Sequence, residues 1–152
     1  MKSNELPLTT LIELATNELD DAQRALGQAQ QACSEAESQT ESLIQYRDEY
    51  RSRLTSSAQA GLSGANWRNF QTFIDTLDAA IEQQRRVLAV AQQKLEAARE
   101  AWAEKRRKVT SYEALAERAR QREQVVFARR EQRESDEHAA KVVRLRNDPS
   151  HE

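Results

Sequence analysis

The fold of this chain is decided by residues 56–66, which read SSAQAGLSGAN. Two of the three glycines, Gly61 and Gly64, lie in this stretch. Glycine favours turns and helix ends because it adopts backbone angles that other residues avoid. The stretch therefore predicts a single reversal, with one helix ending near Gly61 and a second beginning after Ser63 or Asn66.

The composition on either side of this reversal is that of long helices. Ala, Glu, Lys, Leu and Arg make up about half of the 152 residues, and both prolines lie near the ends. Hydrophobic residues are 38%, aromatic residues 5% and charged residues 32%. A chain in which these five residue types make up about half of the sequence is typical of a coiled coil. It excludes a β-sandwich, a barrel, a doubly wound sheet, a membrane span and a compact core around a small-molecule pocket.

The charge is balanced overall but not along the chain. The net charge of −2 argues against general binding to nucleic acid or anionic membranes. Residues 1–60 carry 5 Lys or Arg against 10 Asp or Glu, whereas residues 61–152 carry 18 against 15. The single cysteine, Cys33, fits a reducing compartment, and the N-terminus lacks the pattern of a signal peptide. We expect a cytoplasmic protein.

Local signals predict the limits of the two helices. Thr10 and Glu13 have the spacing of a capping box, which begins a helix. The expected boundaries are helix one at about 10–59, the turn at about 60–65 and helix two at about 66–146. A short disordered tail is expected after them. The whole chain, 1–152, is then one structural domain.

Apolar residues recur in alternating steps of three and four along both helices. In helix one this seam consists of Ile12, Ala15, Leu19, Ala22, Leu26, Ala29, Cys33, Ala36, Thr40, Leu43, Arg47, Tyr50, Leu54 and Ser57. In helix two it consists of Trp67, Phe70, Ile74, Leu77, Ile81, Gln84, Leu88, Ala91, Leu95, Ala98, Trp102, Lys105, Val109 and Tyr112. This period indicates a left-handed coiled coil. We predict an all-α fold, a two-helix antiparallel coiled-coil hairpin.

Reversal at residue 62 places opposite one another those residues whose numbers sum to 124. Small residues then face large ones, as at Ala22 and Trp102, and the polar Thr40 faces the polar Gln84. In this register residues 117–146 of helix two overhang helix one. The overhang has nine Lys or Arg, six Asp or Glu and few apolar residues. Such a helix is marginal alone in water. Its arginines indicate either a solvated face or a segment that docks on an acidic partner.

The sequence gives no sign of catalysis, a metal site or a cofactor. Cys33 lies among alanines on the seam, where a small buried side chain is expected. Glu134 lies one turn before His138, but a third metal ligand at helical spacing is missing. No phosphate-binding loop or nucleophile motif is present. We expect a non-enzymatic protein without a small-molecule substrate.

A basic run, residues 105–108, lies between Trp102 and Tyr112. Basic residues interleaved with aromatic ones can bind single-stranded nucleic acid. The alternative, which the spacing favours, is that both aromatic residues belong to the seam and the charges are solvated. No nucleic-acid partner is expected.

Near the turn the apolar surface is wider than a two-helix seam needs. Two matching stripes consist of Gln39, Leu43, Tyr46 and Tyr50 in helix one and Phe73, Leu77, Ala80 and Gln84 in helix two. Tyr46 and Phe73 fall outside the seam, so a two-helix structure leaves them partly exposed. They indicate a partner site, or else the wider core of a three- or four-helix dimer.

Four segments carry a resemblance to a known family. They are LATNELDDAQRALG at 14–27, LIQYRDEYRSRL at 43–54, WRNFQTFIDTLDAAIEQ at 67–83 and REQRESDEHAAK at 130–141. In this order they resemble the FliJ proteins of the bacterial flagellar type III export apparatus, which serves motility. The resemblance covers most of the chain.

The resemblance implies a coiled coil similar to the central stalk of rotary ATPases. It implies insertion into the ring of the flagellar export ATPase, promotion of its hexamer, and contacts with the membrane export gate and export chaperones. The expected location is then cytoplasmic, peripheral at the cytoplasmic face of the inner membrane. The alternatives are a chaperone escort without an ATPase role, a plain coiled-coil spacer and an RNA-associated coiled coil.

The resemblance also implies the position of one binding surface, and the overhang indicates a second. The family's gate-binding surface falls on Gln39, Leu43, Tyr46, Tyr50, Phe73, Leu77, Ala80 and Gln84. Four of these, Leu43, Tyr50, Leu77 and Gln84, also belong to the predicted seam, so Tyr46 and Phe73 are the firmer candidates. For docking in the ATPase ring we expect arginines of the overhang, namely Arg118, Arg122, Arg129, Arg130 and Arg133.

Overall fold

A computed structural model describes residues 7–148, and this part of the chain is two long helices without a β-strand. Helix α1 runs over Leu8–Gln59 (52 residues) and helix α2 over Gly64–Arg146 (83 residues). The helices pack against each other, which confirms the predicted all-α helical hairpin. The tail that we expected to be disordered lies, beyond residue 148, outside the described residues. Within residues 7–148 neither helix is apolar enough over a sufficient length to cross a membrane.

Helix α1 begins at a proline and not at the predicted capping box. The Leu11 N–H donates to the Pro7 carbonyl at 3.2 Å, which is the first hydrogen bond of the helix. Thr10 therefore lies inside the helix, and the capping box at Thr10 was wrong. A proline suits a helix start because its fixed φ is close to the helical value and the missing N–H would have no partner there.

The reversal occupies residues 60–63. Helix α1 ends one residue before Ala60, whose N–H donates back to the Ser56 carbonyl at 3.3 Å. Gly61 has φ of +91°, a left-handed conformation that disfavours other residues. Ser63 then caps α2, because its Oγ accepts a hydrogen bond from the Asn66 N–H at 3.4 Å. Of the two predicted starts for the second helix, Ser63 is the correct one.

The chain forms two compact units, to which each helix contributes. One, here the hairpin unit, is Thr16–Arg106, and the other, here the end unit, consists of the residues up to Ala15 and those from Arg107 onward. The buried residues of the hairpin unit are Cys33, Ala36, Thr40, Leu54, Ile74, Leu77 and Ile81. All seven are predicted seam residues. Trp67 is the exception in the seam, because 46% of it is exposed.

Polar contacts between the helices of the hairpin unit bracket the predicted register. Lys105 Nζ lies 3.2 Å from Glu18 Oε2, and Gln84 Nε2 donates to Gln39 Oε1 at 3.1 Å. Both pairs of residue numbers add up to 123, and Arg47 with Asp78, 3.0 Å apart, adds up to 125, so the contacts lie on either side of the predicted 124. Gln84 bonds to the neighbour of its expected partner Thr40 and not to Thr40 itself. The Thr40 hydroxyl instead donates to the Ala36 carbonyl of its own helix at 2.7 Å, because a buried hydroxyl there reaches the preceding turn.

In the end unit the beginning of α1 lies along the middle of α2. Ala15 and Val109 are buried, and a groove with both helices in its walls is lined by Leu8, Thr9, Ile12, Glu113, Ala116, Ala119 and Arg120. From Arg120 to Asp148 every residue is exposed. This exposed segment, residues 120–148, begins three residues later than the predicted overhang. Its helical part, to Arg146, has no apolar face against another described element.

Candidate partner-binding surfaces

Four aromatic side chains cluster beside the turn. Tyr46 and Tyr50 come from α1, and Phe70 and Phe73 from α2. The ring centroids of Tyr50 and Phe73 are 4.5 Å apart, those of Tyr50 and Phe70 5.3 Å, and those of Tyr46 and Phe73 6.4 Å. Tyr50 thus lies close to both phenylalanines, whereas Tyr46 lies at the edge of the cluster.

The eight residues expected to bind an export gate differ in exposure. Gln39, Tyr46, Phe73 and Ala80 are exposed, Leu43, Tyr50 and Gln84 are half-buried, and Leu77 is buried. Tyr46 is 47% and Phe73 37% exposed, whereas Leu77 is 8% exposed. Leu77 is therefore buried in the seam between the helices. The four exposed residues are the members of this set that present most side-chain surface to a partner.

An ion-pair cluster next to the aromatic residues was missed by sequence reasoning. Arg47 Nη1 lies 3.0 Å from Asp78 Oδ1, and Arg51 Nη2 lies 3.3 Å from Asp78 Oδ2. The hydrogen bond to Asp78 raises the pKa of Arg47, although burial opposes this. Because Asp78 pairs with two residues of α1, the cluster links the two helices beside Tyr46 and Tyr50. The signal in the sequence was an arginine at a seam position, with an aspartate one residue beyond the position that faces it on the other helix.

The five arginines expected to dock in an ATPase ring are all exposed. They are Arg118, Arg122, Arg129, Arg130 and Arg133. Within residues 7–148 none of the five forms an ion pair, whereas their neighbour Arg120 lies 2.6 Å from Glu117. Five guanidinium groups of this part of the chain are thus available to carboxylates of another molecule.

Four of these arginines share one face of α2 with apolar residues. At about 100° per residue, Arg118, Arg122, Arg129 and Arg133 fall within about 60° of one another, and Arg130 lies to one side. Val125 and Val126, which are 49% and 54% exposed, belong to the same face. A shallow groove there is lined by Leu115, Arg118, Gln121, Arg122, Val125, Val126 and Arg129. No Asp or Glu lies on this face between Leu115 and Arg133.

Cys33 has the surroundings of a structural cysteine. It is 5% exposed, and its Sγ donates to Glu37 Oε1 at 3.8 Å. Burial raises the pKa of the thiol, and the Glu37 carboxylate raises it further. A thiol with a raised pKa is a poor nucleophile. In the described part of the chain no three His, Cys, Asp or Glu residues are grouped so that they could hold a metal ion.

The basic run between the aromatic residues Trp102 and Tyr112 is partly engaged within the chain. Lys105 pairs with Glu18 at 3.2 Å, and the Arg106 guanidinium carbon lies 5.3 Å from the ring centroid of Trp102. Trp102 and Tyr112 are both half-buried, in agreement with their predicted seam positions. Their rings therefore present little surface for stacking on bases.

Known proteins match this chain over almost its whole length. The sequence profile of the family described as Flagellar FliJ protein matches residues 3–148. A Flagellar FliJ protein of Escherichia coli (strain K12) is 38% identical over 136 residues, covering 90% of this chain and 92% of the relative. A Flagellar FliJ protein of Salmonella typhi has the same identity and coverage. On this evidence the two-helix chain described above belongs to the FliJ family of flagellar proteins.

Proposed function

We propose that this FliJ protein is a non-enzymatic component of the flagellar type III protein export apparatus and acts as the central stalk of its ATPase. In this role the end of α2 inserts into the ATPase ring and promotes formation and activity of the hexamer. The protein works in the cytoplasm at the inner membrane, where it also contacts the membrane export gate and export chaperones.

The observation that carries the proposal is the exposed end of α2 with its unpaired arginines. Residues 120–148 have no buried side chain, so this segment gains little stability from the rest of the described chain. Arg118, Arg122 and Arg129 flank the exposed Val125 and Val126. This face combines apolar surface with groups that bind carboxylates bidentately, as an interface with an acidic protein surface requires.

Docking of such a face on several ATPase subunits explains how a small protein promotes a hexamer. A ligand that binds the assembled ring and not the free subunit shifts the assembly equilibrium by mass action. The arginines supply this binding energy without any chemistry of their own. The rate of ATP hydrolysis therefore rises because more subunits occupy the assembled state.

The test is ATP hydrolysis by the export ATPase with added variants of this chain. Replacing Arg118, Arg122, Arg129, Arg130 and Arg133 by Ala is expected to abolish stimulation, because the five groups bind the ring. Alanine preserves helix propensity, so circular dichroism should remain that of the wild type. The control replaces the other four basic residues of this part of α2, Arg120, Lys141, Arg144 and Arg146, by Ala and should retain stimulation. Unchanged stimulation by the five-arginine variant, or equal loss in the control, would contradict the proposal.

The gate-binding part of the proposal places the contact at the other end of α2, beside the turn. The exposed Tyr46 and Phe73 supply an apolar surface there, bordered by Gln39 and Ala80. Aromatic residues with partial exposure are frequent anchors at protein interfaces. Leu77 is buried beneath this surface and contributes little direct contact with a partner.

Two other functions are open to the same chain, and the ATPase assay separates them. A chaperone escort without an ATPase role binds export chaperones and leaves hydrolysis unchanged. A plain coiled-coil spacer binds neither the chaperones nor the ATPase. The unpaired arginines favour the stalk over the spacer, because a spacer has no need of an uncompensated basic face.

A further inference from the structure

An apolar groove in the middle of the hairpin unit is not used by the proposed stalk or gate surfaces. On α1 it is lined by uncharged residues, Ala25, Gln28, Ala29 and Ala32, and on α2 by Gln83, Arg86, Val87, Val90, Ala91 and Lys94. Val87 is 45% and Val90 49% exposed. Two exposed valines side by side on the wall of an apolar groove form a surface that favours association.

The charges of the groove are all of one sign. Arg86 and Lys94 are its only charged lining residues, and neither forms an ion pair in the part of the chain that the structure describes. Elsewhere on α2 of this unit, Arg85 is paired with Glu82 and Arg99 with Glu96. No acidic residue occurs on α2 between Glu82 and Glu96. The two cations of the groove are therefore uncompensated.

We propose that this groove is a docking site for an acidic amphipathic helix of a partner protein. The partner helix places an apolar stripe on Val87 and Val90 and directs carboxylates from one flank toward Arg86 and Lys94. The assembly is then locally a three-helix bundle. The site shares no residue with the arginine face of α2, so the partner and the ATPase use different side chains.

The shape and spacing of the groove favour a helix over other occupants. Two packed helices leave between them a groove that accepts the ridge of a third. Arg86 and Lys94 are eight residues apart, about 12 Å along the axis, which matches carboxylates two turns apart on a facing helix. A phosphate-binding surface would need cations close together and would not be lined by alanine and valine. A helix with an apolar stripe and carboxylates along its flank matches both the apolar lining and the separation of the two cations.

A binding experiment with designed helical peptides tests the charge complementarity. The probe is a fluorescent peptide of about 18 residues with Leu and Ala along one face and Glu along one flank. Its matched partner carries Lys in place of each Glu. Fluorescence anisotropy with the full chain should show that the Glu peptide binds about tenfold more tightly than the Lys peptide. In the variant Arg86→Glu, Lys94→Glu this preference should reverse.

A control variant with the same change in net charge keeps the experiment specific. Arg85→Glu, Arg99→Glu alters two exposed arginines of α2 outside the groove and should keep the preference for the Glu peptide. Val90→Asp should weaken the binding of both peptides, because it places a charge in the apolar lining of the groove. Circular dichroism confirms that each variant remains helical.

Several outcomes would overturn the proposal. They are equal binding of both peptides to the wild type, equal effects of the two double variants, and binding of polyglutamate as tight as that of the Glu peptide. Sedimentation that shows a wild-type dimer dissociated by Arg86→Glu, Lys94→Glu assigns the groove to a second copy instead. Tight binding of single-stranded RNA that the Glu peptide cannot displace assigns it to nucleic acid.

An ATPase assay distinguishes this proposal from that of the stalk. The variant Arg86→Glu, Lys94→Glu should stimulate the export ATPase as the wild type does, since neither residue belongs to the arginine face. Loss of peptide preference with intact stimulation supports the groove. Absence of stimulation by the wild type would contradict the stalk and leave the peptide result unaffected.

Discussion

Tyr46 and Phe73 differ from their aromatic neighbours because their side chains lie outside the seam between the helices. Tyr50 and Phe70 lie on the seam and are half-buried, whereas Tyr46 and Phe73 are exposed. An exposed side chain can contact a partner but contributes little to the free energy of unfolding. Substitution there separates binding from folding, which substitution at a buried member of the cluster does not.

The first prediction concerns the variant Tyr46→Ala, Phe73→Ala. It should weaken binding to the export gate by at least about tenfold, since aromatic anchors at interfaces contribute about 2 kcal/mol or more. Surface plasmon resonance with the purified gate domain measures the affinity. Trp67→Ala is the matched control, because Trp67 is 46% exposed on the same helix and outside the predicted set. An equal loss in the control, or none in the double variant, would show that this surface is not the contact.

At this scale the sequence predicted which residues face the partner helix but not every contact. The step of three and four correctly placed Ile74, Leu77 and Ile81 in the core. It failed at Trp67, because the register places only the small Ser57 opposite it where α1 ends. It also could not show that Gln84 bonds to Gln39, since a side-chain amide can reach partners on either side of its facing residue.

The turn element depends on the backbone angle of one glycine. A Cβ added at Gly61 or at Gly27 meets no atom within 4 Å, so packing does not distinguish the two sites. Their backbones do, because Gly61 has φ of +91° and Gly27 lies within α1. The same added methyl group therefore has opposite effects at the two positions.

The second prediction follows from this difference. Gly61→Ala should lower the free energy of unfolding by about 1–2 kcal/mol, the cost of a left-handed conformation with a Cβ. Gly27→Ala should raise it by about 0.5–1 kcal/mol, because alanine is the better helix former. Urea denaturation followed by circular dichroism measures both. Destabilisation by Gly27→Ala would reveal a contact of this helix face that the described chain does not contain.

The elements themselves were more predictable from the sequence than their starting points. Scarcity of glycine and proline predicted two long helices and the place of the reversal. The Thr10 capping box failed because Pro7 offers an alternative start three residues earlier. Several residues near a helix start can cap it with similar energies, so tertiary packing decides which one is used.

For the whole molecule, stability and the proposed ATPase contact reside in different parts of the sequence. Among residues 7–148 the buried ones all lie from Ala15 to Val109. The residues from Arg120 to Asp148 are exposed throughout and hold most of the proposed docking arginines. The face proposed to bind the ring therefore need not contribute to folding, and the buried core need not contact the ring.

The third prediction is that a chain truncated after Ala119 keeps its melting temperature but no longer stimulates the export ATPase. The truncation removes 27 helical residues, Arg120–Arg146, of the 52 and 83 in the two helices. Circular dichroism at low temperature should lose at most about a fifth of the helical signal. The loss should be smaller if the exposed end frays in the free chain, as an unsupported helix does.

Two further results would identify which part of this division is wrong. A large drop in melting temperature would mean that residues 120–148 support the core, contrary to their exposure. Stimulation that survives truncation would place the ring contact on the remaining helices and exclude Arg122, Arg129, Arg130 and Arg133 as the source. Hydrogen exchange of the full chain adds an independent measure. Amides after Ala119 should exchange fast in the free protein and slow down when the ATPase is added, because docking supplies the packing that the segment lacks alone.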